Sequence, residues 1–239
     1  MSRKAIITII AGVIAVVIIG VLAISSNGNS ASSEQPQTSA TTSKDPAEMT
    51  DEEFFASLPR RQADDPMAMG PVNAPVVLIE WADYRCPFCS IFTEQTLPQL
   101  QHYFDEGKVR FEFRDMPVFG DDSVYAAMAA RAAGEQGLYH EYQLALYKAL
   151  PDSGHPPVEE SLVIKIAEEV GVPDMGKFKK DLNSNDLMKL VQNDFAEAKQ
   201  LGITSVPMFV VGGQVLSGAQ PLEAFEAAVD QEIAKAERK

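Results

Sequence analysis

The sequence has few residues of the types that build metal sites or bind nucleic acid. Its 239 residues include 2 cysteines, 3 histidines, and 20 Lys and Arg against 34 Asp and Glu, for a formal net charge of -14. A zinc site needs about four ligands, usually Cys or His, and His102, His140 and His155 are scattered, so no metal is predicted. The negative charge argues against nucleic acid or an anionic membrane surface as the partner of the globular part.

The two cysteines, Cys86 and Cys89, lie three positions apart, directly after the apolar run 76–81. In the loop-closure account a disulfide stabilises a fold more when it closes a longer loop, and this loop is minimal. A structural role is therefore weak, and a pair that opens and closes in redox chemistry is predicted. A metal site and an inert pair remain the alternatives.

An uncharged, strongly apolar run, residues 5–24, follows Arg3 and Lys4. It is long enough for a helix that crosses a bilayer, which needs about 20 residues, and the positive-inside rule puts residues 1–4 in the cytoplasm. A cleaved signal peptide is the alternative, but its apolar core usually has only about 7–15 residues. We therefore expect an uncleaved single-pass anchor in the cell membrane, with the catalytic domain on the extracytoplasmic side.

Residues 25–49 form a predicted flexible tether. From Ser25 to Lys44 the composition is mainly Ser, Thr, Asn, Gln, Gly and Ala with almost no large apolar residue. Such a segment cannot bury enough surface to offset the entropy of ordering it. The remaining residues, 50–239, are sufficient for one globular domain with a sizeable core.

The apolar periodicity of this domain predicts strands and helices in a definite order. Pro98 should kink the helix in which it lies, and apolar residues alternate with Arg110 and Glu112 in one strand. The predicted order is strand 76–82, helix 90–104, strand 109–113, helical runs 123–150, 158–170 and 174–201, a hairpin of 207–211 and 214–216, and helix 221–236.

Four features in this order resemble a known family. They are residues 80–85 leading into Cys86-Pro87-Phe88-Cys89, the kinking Pro98, the large helical segment between strand 109–113 and Val206, and Thr204-Ser205-Val206-Pro207 ahead of the hairpin. Together they resemble the DsbA-like thiol:disulfide oxidoreductases, in a membrane-anchored form like those on the outer face of Gram-positive cells. The resemblance implies an α/β, thioredoxin-like fold with an inserted helical subdomain at about 117–202.

The resemblance also implies an enzyme that introduces disulfide bonds into exported proteins. Its redox group would be the Cys86–Cys89 disulfide, with no other cofactor, and a membrane reoxidase of DsbB-like or VKOR-like type would reoxidise it. One alternative is a thiol reductase or disulfide isomerase of the cell envelope. Another is a tethered binding or chaperone module whose cysteines are incidental.

The two thiols are predicted to have different roles. Cys86 lies at the start of the predicted helix, where unpaired N–H groups and the helix dipole favour an anion and lower the pKa of a thiol. Cys86 is therefore the predicted nucleophile. Pro87 suits the first helical turn, where its missing N–H is not needed, and Cys89 is placed to resolve a mixed disulfide.

The resemblance assigns roles to four further residues. Pro207 matches a cis-proline that faces the active disulfide, with Val206 offering backbone groups to substrate, whereas a trans proline opening an edge strand is the alternative. Glu80 matches a buried acid that helps move the proton of the resolving thiol, and the alternative is a strand-end glutamate facing solvent. Phe88 stands where strongly oxidising members carry His, and it either contacts apolar substrate segments or packs against the protein.

The residues flanking the cysteines are expected to be less important. Asp83 and Arg85 are predicted to be solvated, although Arg85 could add positive potential beside Cys86. A group of methionines is expected to pack in the core rather than form a substrate-facing patch. The group is Met67, Met69, Met116 and Met208.

Overall fold

The structure is a computed structural model that describes residues 48–151 and 153–238. The predicted anchor, residues 5–24, and residues 25–47 of the predicted tether lie outside the described residues. Within the described part, no helix is both long enough and apolar enough to cross a membrane.

A five-stranded mixed sheet forms the centre of the fold. Its strands are β1 (Ala68–Met69), β2 (Val76–Ala82), β3 (Val109–Asp115), β4 (Met208–Val211) and β5 (Gln214–Ser217), in the spatial order β1-β3-β2-β4-β5. β2 and β3 run parallel, so that Val76 lies opposite Val109 and Ala82 opposite Asp115. β4 runs antiparallel to both β2 and β5. The hairpin formed by β4 and β5 agrees with the predicted one.

The helices lie before, between and after these strands. They are α1 (Asp51–Ser57), α2 (Pro87–Ile91), α3 (Gln101–Asp105), α4 (Asp121–Gly134), α5 (Tyr139–Ala149), α6 (Glu160–Glu169), α7 (Met175–Asp181), α8 (Asn185–Gln200) and α9 (Leu222–Ala236). Thr50 and Glu53 form a reciprocal capping box at the start of α1, as their spacing predicts. Helices α4 to α8 all lie between β3 and β4 in the chain.

The helical segment after the cysteines is irregular, as Pro98 predicts. Between α2 and α3 the chain passes through a π-helical turn, Phe92–Thr96, and a 3₁₀ turn, Leu97–Leu100. Proline supplies no N–H and its ring clashes with the preceding turn, so regular α-helical hydrogen bonding cannot continue through it. The hydrogen-bonding pattern of the segment therefore changes from π to 3₁₀ and then back to α.

Alternation of side chains along β2 divides the core into two parts, one on each face of the sheet. Leu78 and Ala82 belong to a large cluster with side chains of the inserted helices, and Ile79 and Trp81 belong to a smaller cluster on the other face. Every residue of β2 is buried. The strand that leads to the cysteines is thus fixed from both sides.

The predicted helical run 123–150 is wrong as a single element, because the structure divides it into α4 and α5. Gly137, between them, has a φ of +80°, a backbone conformation that side-chain-bearing residues rarely adopt. The reversal lets the two helices pack against each other. Tyr139 at the start of α5 then contacts the residues beside the cysteines, since its hydroxyl lies 2.5 Å from that of Tyr84.

Strand β3 carries charged residues and yet all seven of its residues are buried. Alternation of this kind ordinarily indicates a half-exposed strand. Here Glu112 lies 2.9 Å from Arg110 and 2.6 Å from Arg114, and it also accepts backbone hydrogen bonds from Arg60 and Arg61. Burial raises the pKa of Glu112, but these donors outweigh burial and lower it to about 2. The charges of β3 are therefore neutralised internally.

A second buried ion-pair chain ties the inserted helices to the sheet. Arg131 of α4 lies 2.5 Å from Asp115 at the end of β3 and 2.6 Å from Asp194 of α8. Asp194 also pairs with Arg60, at 2.7 Å. One side chain of α4 thus connects three elements that are distant in sequence.

Candidate active site

The turn after β2 brings Cys86 to the start of α2. The backbone N–H of Cys86 donates to the carbonyl of Asp83 at 3.1 Å, and Pro87 occupies the first turn of the helix. The carbonyl of Cys86 accepts hydrogen bonds from the N–H groups of Cys89 and Ser90, at 3.0 and 3.1 Å. Cys86 is therefore the residue that caps the helix, with extended backbone angles.

The environment pushes the pKa values of the two thiols in opposite directions. A hydrogen bond from the Cys89 thiol and backbone N–H groups of Phe88 and Cys89 lower the pKa of Cys86 to about 7, against the opposing effect of burial. Burial, followed by the hydrogen bond and charge of Cys86, raises the pKa of Cys89 well above its usual value. At neutral pH the pair can therefore hold one thiolate, on Cys86.

The alkylation of reduced protein should report this difference directly. Because the thiolate is the nucleophile, we expect the rate of Cys86 modification by iodoacetamide to rise with pH through a midpoint near 7. An unperturbed thiol would have its midpoint near about 8.5. Mass spectrometry after a timed pulse measures both cysteines, and Cys89 is the internal control because it should stay unmodified. A midpoint near that of a free thiol would contradict the geometry.

The loop before β4 closes the site on the side opposite α2. The Val206–Pro207 peptide bond is cis, and the carbonyl oxygen of Val206 lies 3.7 Å from the sulfur of Cys86. Pro207 is therefore not a trans proline opening an edge strand. The backbone of Val206 is available next to the reactive sulfur, where an extended peptide could pair with it.

Glu80 lies inside the core, on the strand that leads to the cysteines. Its side chain is fully buried, and neither carboxyl oxygen has a hydrogen-bond partner among the described residues. Burial, followed by the charge of Cys86, raises the pKa of Glu80 well above its usual value. The alternative of a strand-end glutamate facing solvent is wrong, and burial favours the protonated form of this acid.

Two apolar side chains are exposed near the cysteines. Phe88 is 59% exposed and Val118 is 36% exposed, in a fold whose other large apolar side chains are mostly buried. The surface position of Phe88 argues against the reading in which it packs against the protein. Contact with an apolar segment of another molecule is the reading that its position favours.

Asp83 and Arg85 are not the solvated flanking residues that the sequence predicts. Asp83 is buried, and its carboxylate accepts hydrogen bonds from the backbone N–H groups of Val118 and Phe119, at 2.7 and 3.2 Å, which offset the cost of burying it. The Arg85 side chain is only 9% exposed and bonds to carbonyl groups of two surface loops. These partners lie 34 to 71 residues away in sequence, so no local pattern could have indicated them.

The methionines pack in the core, as the sequence analysis expects. Met67, Met116 and Met208 are buried, and Met69 is partly buried against the large cluster. Among the residues that the structure describes, no group of three His, Cys, Asp or Glu side chains could hold a metal ion.

The chain is similar to a protein family, to curated relatives and to solved structures. A family model described as thioredoxin matches residues 62–231. A probable disulfide bond formation protein D of Bacillus cereus is 30% identical over 173 residues, which cover 70% of this chain and 79% of that protein. BdbD of Bacillus subtilis, in its oxidised crystal structure, superposes with a TM-score of 0.65 at 22% identity, covering 70% of this chain and 92% of that one. For α-DsbA1 of Wolbachia pipientis the TM-score is 0.62 at 24% identity, with 71% and 92% covered.

The matched segment includes every strand, the two cysteines and the cis-proline. The chain therefore belongs to the thioredoxin family and is a DsbA-like thiol:disulfide oxidoreductase. The thioredoxin-like α/β fold and the enzyme class that the sequence predicts are confirmed.

Proposed function

We propose that this protein is an extracytoplasmic oxidase that introduces disulfide bonds into exported proteins through Cys86 and Cys89. The observation that carries the proposal is the opposite shift of the two thiol pKa values beside a cis-proline. A thiolate on Cys86 and a protonated Cys89 are the products expected of a disulfide that has just accepted two electrons.

In the proposed reaction a substrate thiolate attacks the sulfur of Cys86 in the Cys86–Cys89 disulfide. The bond between the two enzyme sulfurs breaks, Cys89 leaves as a thiolate and takes up a proton, and a mixed disulfide joins Cys86 to the substrate. A second substrate thiolate then attacks the substrate sulfur of this mixed disulfide and releases the Cys86 thiolate. The substrate loses two electrons and the enzyme gains them.

The low pKa of Cys86 favours this direction. A thiolate that is stable at neutral pH is a good leaving group and stabilises the reduced enzyme. Each unit by which the pKa falls corresponds to about 1.4 kcal/mol, or roughly 30 mV toward a more oxidising potential for a two-electron couple. With a pKa of about 7 for Cys86, we expect a couple that is more oxidising than a pair of thiols with ordinary pKa values.

Glu80 is the proposed proton carrier for Cys89. Burial raises the pKa of its carboxyl and so favours the protonated form. The carboxyl and Cys89 lie close enough to influence each other's charge, since Glu80 contributes to the raised pKa of that thiol. A neutral acid in this position can give a proton to the leaving Cys89 thiolate and recover it later.

Substrate binding is assigned to Phe88, Val206 and Pro87, and Pro207 is assigned to the catalytic group with Cys86, Cys89 and Glu80. The backbone of Val206 would pair with an extended segment around the substrate cysteine, as strands are added at exposed backbone groups. Phe88, on the exposed first turn of α2, would contact an apolar side chain of that segment. Pro87 between the cysteines keeps this turn rigid because its φ is fixed.

An assay of oxidative folding tests the proposal. Oxidised protein, mixed anaerobically with a reduced and unfolded secreted protein, should transfer one disulfide per molecule, counted by the loss of free thiols. Cys86→Ser protein is the control. If the enzyme equilibrates with glutathione at a more reducing potential, the reductase or isomerase alternative is favoured. If a chaperone effect survives in Cys86→Ser, the cysteines are incidental.

The membrane topology gives a separate prediction. If residues 5–24 anchor the protein with residues 1–4 inside, protease added to cells stripped of their wall should digest the domain while cytoplasmic proteins survive. Immunoblots of membrane and soluble fractions measure this. Recovery of intact protein from the soluble cytoplasm would contradict both the anchor and the oxidase, since thiols there are kept reduced.

In the proposed location, a membrane reoxidase of DsbB-like or VKOR-like type returns Cys86 and Cys89 to the disulfide.

The residue between the cysteines should tune the potential. Phe88→His introduces an imidazole with a pKa near about 6.5, and its positive form would stabilise the Cys86 thiolate. We expect the pKa of Cys86 to fall by about one unit and the potential to rise by roughly 30 mV. Redox titration against glutathione measures the shift, and Phe88→Gln, which is polar and uncharged, is the control. An unchanged or more reducing couple would show that this position does not control the thiolate.

A further inference from the structure

Arg85, directly before the nucleophilic cysteine, bonds to two surface loops of the helical insertion. Its Nε donates to the carbonyl of Pro156 at 2.6 Å, its Nη1 to the carbonyl of Phe119 at 2.6 Å, and its Nη2 to the carbonyl of His155. The carboxylate of Asp122 lies 3.6 Å from Nη2. All three guanidinium nitrogens are thus engaged by groups outside the turn that carries the arginine.

Asp83 makes the complementary connections with its carboxylate. One oxygen accepts the N–H groups of Val118 and Phe119, at 2.7 and 3.2 Å, and the other accepts the N–H of Arg85, at 2.8 Å. The carbonyl of Asp83 accepts the N–H of Cys86. A single residue therefore joins the Cys86 turn to the loop between β3 and α4.

The two loops are also bound to each other. The rings of Phe119 and His155 stack with their centroids 3.5 Å apart, and Nδ1 of His155 lies 2.9 Å from the carbonyl oxygen of Arg85. The loop 117–120 and the loop 153–157 thus share Arg85 as a common partner. Removing its guanidinium would free three carbonyl groups at once.

The first of these loops reaches the surface at the active site. Val118, whose N–H is held by Asp83, is 36% exposed. Phe88, two residues after Cys86, is also exposed. A displacement of loop 117–120 would therefore move an exposed apolar side chain of the loop that Asp83 joins to the Cys86 turn.

The hydrogen bonds of the Arg85 guanidinium distinguish a role in holding the two loops from an electrostatic effect on the Cys86 thiol. The guanidinium bonds to the insertion loops, whereas the groups that stabilise the Cys86 thiolate are the Cys89 thiol and the backbone N–H groups of Phe88 and Cys89. Arginine presents its donors in a planar fork that lysine cannot reproduce. If Arg85 acts by bonding three carbonyl groups, Arg85→Lys should lose its function. If it acts only through its positive charge, Arg85→Lys should keep it.

We propose that Asp83 and Arg85 are positioning residues that clamp loops 117–120 and 153–157 to the Cys86 turn and so fix the surface beside that turn that a protein substrate contacts. The inference rests on the proposed function for the nature of the substrate. Arg85 acts on the recognition of a large substrate and leaves the reactivity of the Cys86 thiol unchanged, whereas the charge of Asp83 also raises the pKa of that thiol.

The test uses Arg85→Lys in the full chain, with Arg238→Lys as a matched control on an exposed residue near the C-terminus. Four quantities are compared with the unmodified protein. They are KM and kcat for a reduced unfolded protein, the rate of reaction with glutathione, and the pH midpoint of Cys86 alkylation. We expect KM to rise about tenfold, because small displacements of positioning groups have effects of this size or larger, with kcat, the glutathione rate and the midpoint unchanged.

An unchanged KM for the reduced unfolded protein in Arg85→Lys would overturn the proposal, because a single charge would then be sufficient. A shifted alkylation midpoint would also overturn it, because Arg85 would then act on the thiol. Amide hydrogen exchange gives a second readout that does not depend on activity, and the N–H groups of Val118 and Phe119 should exchange faster in Arg85→Lys. Unchanged exchange would contradict the clamp. Failure of the proposed function is seen separately, as failure of the unmodified protein to oxidise the reduced substrate.

Discussion

Replacing Cys86 by serine is expected to abolish thiol:disulfide exchange, with a loss of at least about a thousandfold in rate. The hydroxyl of serine is not ionised at neutral pH and cannot form a disulfide, so no mixed disulfide can begin. Serine is close to cysteine in size, and the turn is held by backbone hydrogen bonds, so the fold should be retained. Oxidation of a reduced protein measures the loss, and circular dichroism checks the fold.

Cys89→Ser should give the opposite phenotype. The remaining Cys86 thiolate attacks an existing disulfide of a partner protein, one sulfur of that disulfide leaves as a thiolate, and the resulting mixed disulfide should persist because the Cys89 thiol that would attack it is missing. Non-reducing gels of whole-cell extracts would reveal these covalent complexes, and the double variant Cys86→Ser/Cys89→Ser should trap none. If Cys86→Ser traps complexes while Cys89→Ser does not, the roles of the two cysteines are reversed.

The largest effect on stability is expected at Arg131. Arg131→Met removes the cation between two buried carboxylates, Asp115 at 2.5 Å and Asp194 at 2.6 Å. Breaking a buried ion pair on one side costs about 3–5 kcal/mol, because the remaining charge is left uncompensated. For a domain of this size the loss corresponds to a fall in Tm of about 10 °C. Thermal unfolding of the oxidised protein measures it.

The stability lost in Arg131→Met should depend on pH. Burial raises the pKa of Asp115 to about 6 even with Arg131 present, and removing the cation raises it further. A carboxyl whose pKa is raised by folding favours the folded state while protonated, and this contribution is lost as the pH rises. The variant should therefore be least stable above pH 7 and recover below about 6.

Lys165→Met supplies the matched control for this charge removal. Lys165 pairs with Glu169 on the exposed face of α6, at 3.5 Å, and exposed pairs contribute about 0–1 kcal/mol. A cost below about 1 kcal/mol for Arg131→Met would show that the buried network is not a major source of stability.

The parts of the fold that the sequence predicts correctly are those with a local cause. Pro98 interrupts helical hydrogen bonding wherever it lies, and the glycine pair at 212–213 turns the chain between two apolar strands. The capping box of Thr50 and Glu53 depends on residues three positions apart. Each of these signals is complete within a few residues, so a single sequence is sufficient to detect it.

The buried charges could not be predicted because their partners are distant. Glu112 accepts the N–H of Arg60, 52 residues away, and Arg131 pairs with Asp194, 63 residues away. The local sequence does not distinguish a buried arginine within a strand from an exposed one. The same reason explains why Arg85 was expected in solvent, since its accepting carbonyls lie on loops of the insertion.

The candidate site was predictable in part. The spacing of Cys86 and Cys89 and the apolar strand before them are visible directly in the sequence. The cis bond before Pro207 has no local signature, because only about 5–6% of such bonds are cis, and it was expected through the family resemblance alone. Burial of Glu80 depends on the helices that cover one face of β2, which no pattern within the strand reveals.

The redox state of Cys86 and Cys89 in growing cells tests the central claim most directly. Acid quenching followed by alkylation with a reagent that adds mass to free thiols separates dithiol from disulfide on a gel, and Cys86→Ser/Cys89→Ser marks the position of protein that lacks both. An oxidase that a membrane partner continually reoxidises should be found mainly as the disulfide. Recovery of the protein mainly as the dithiol would contradict the account and assign it to the reductases.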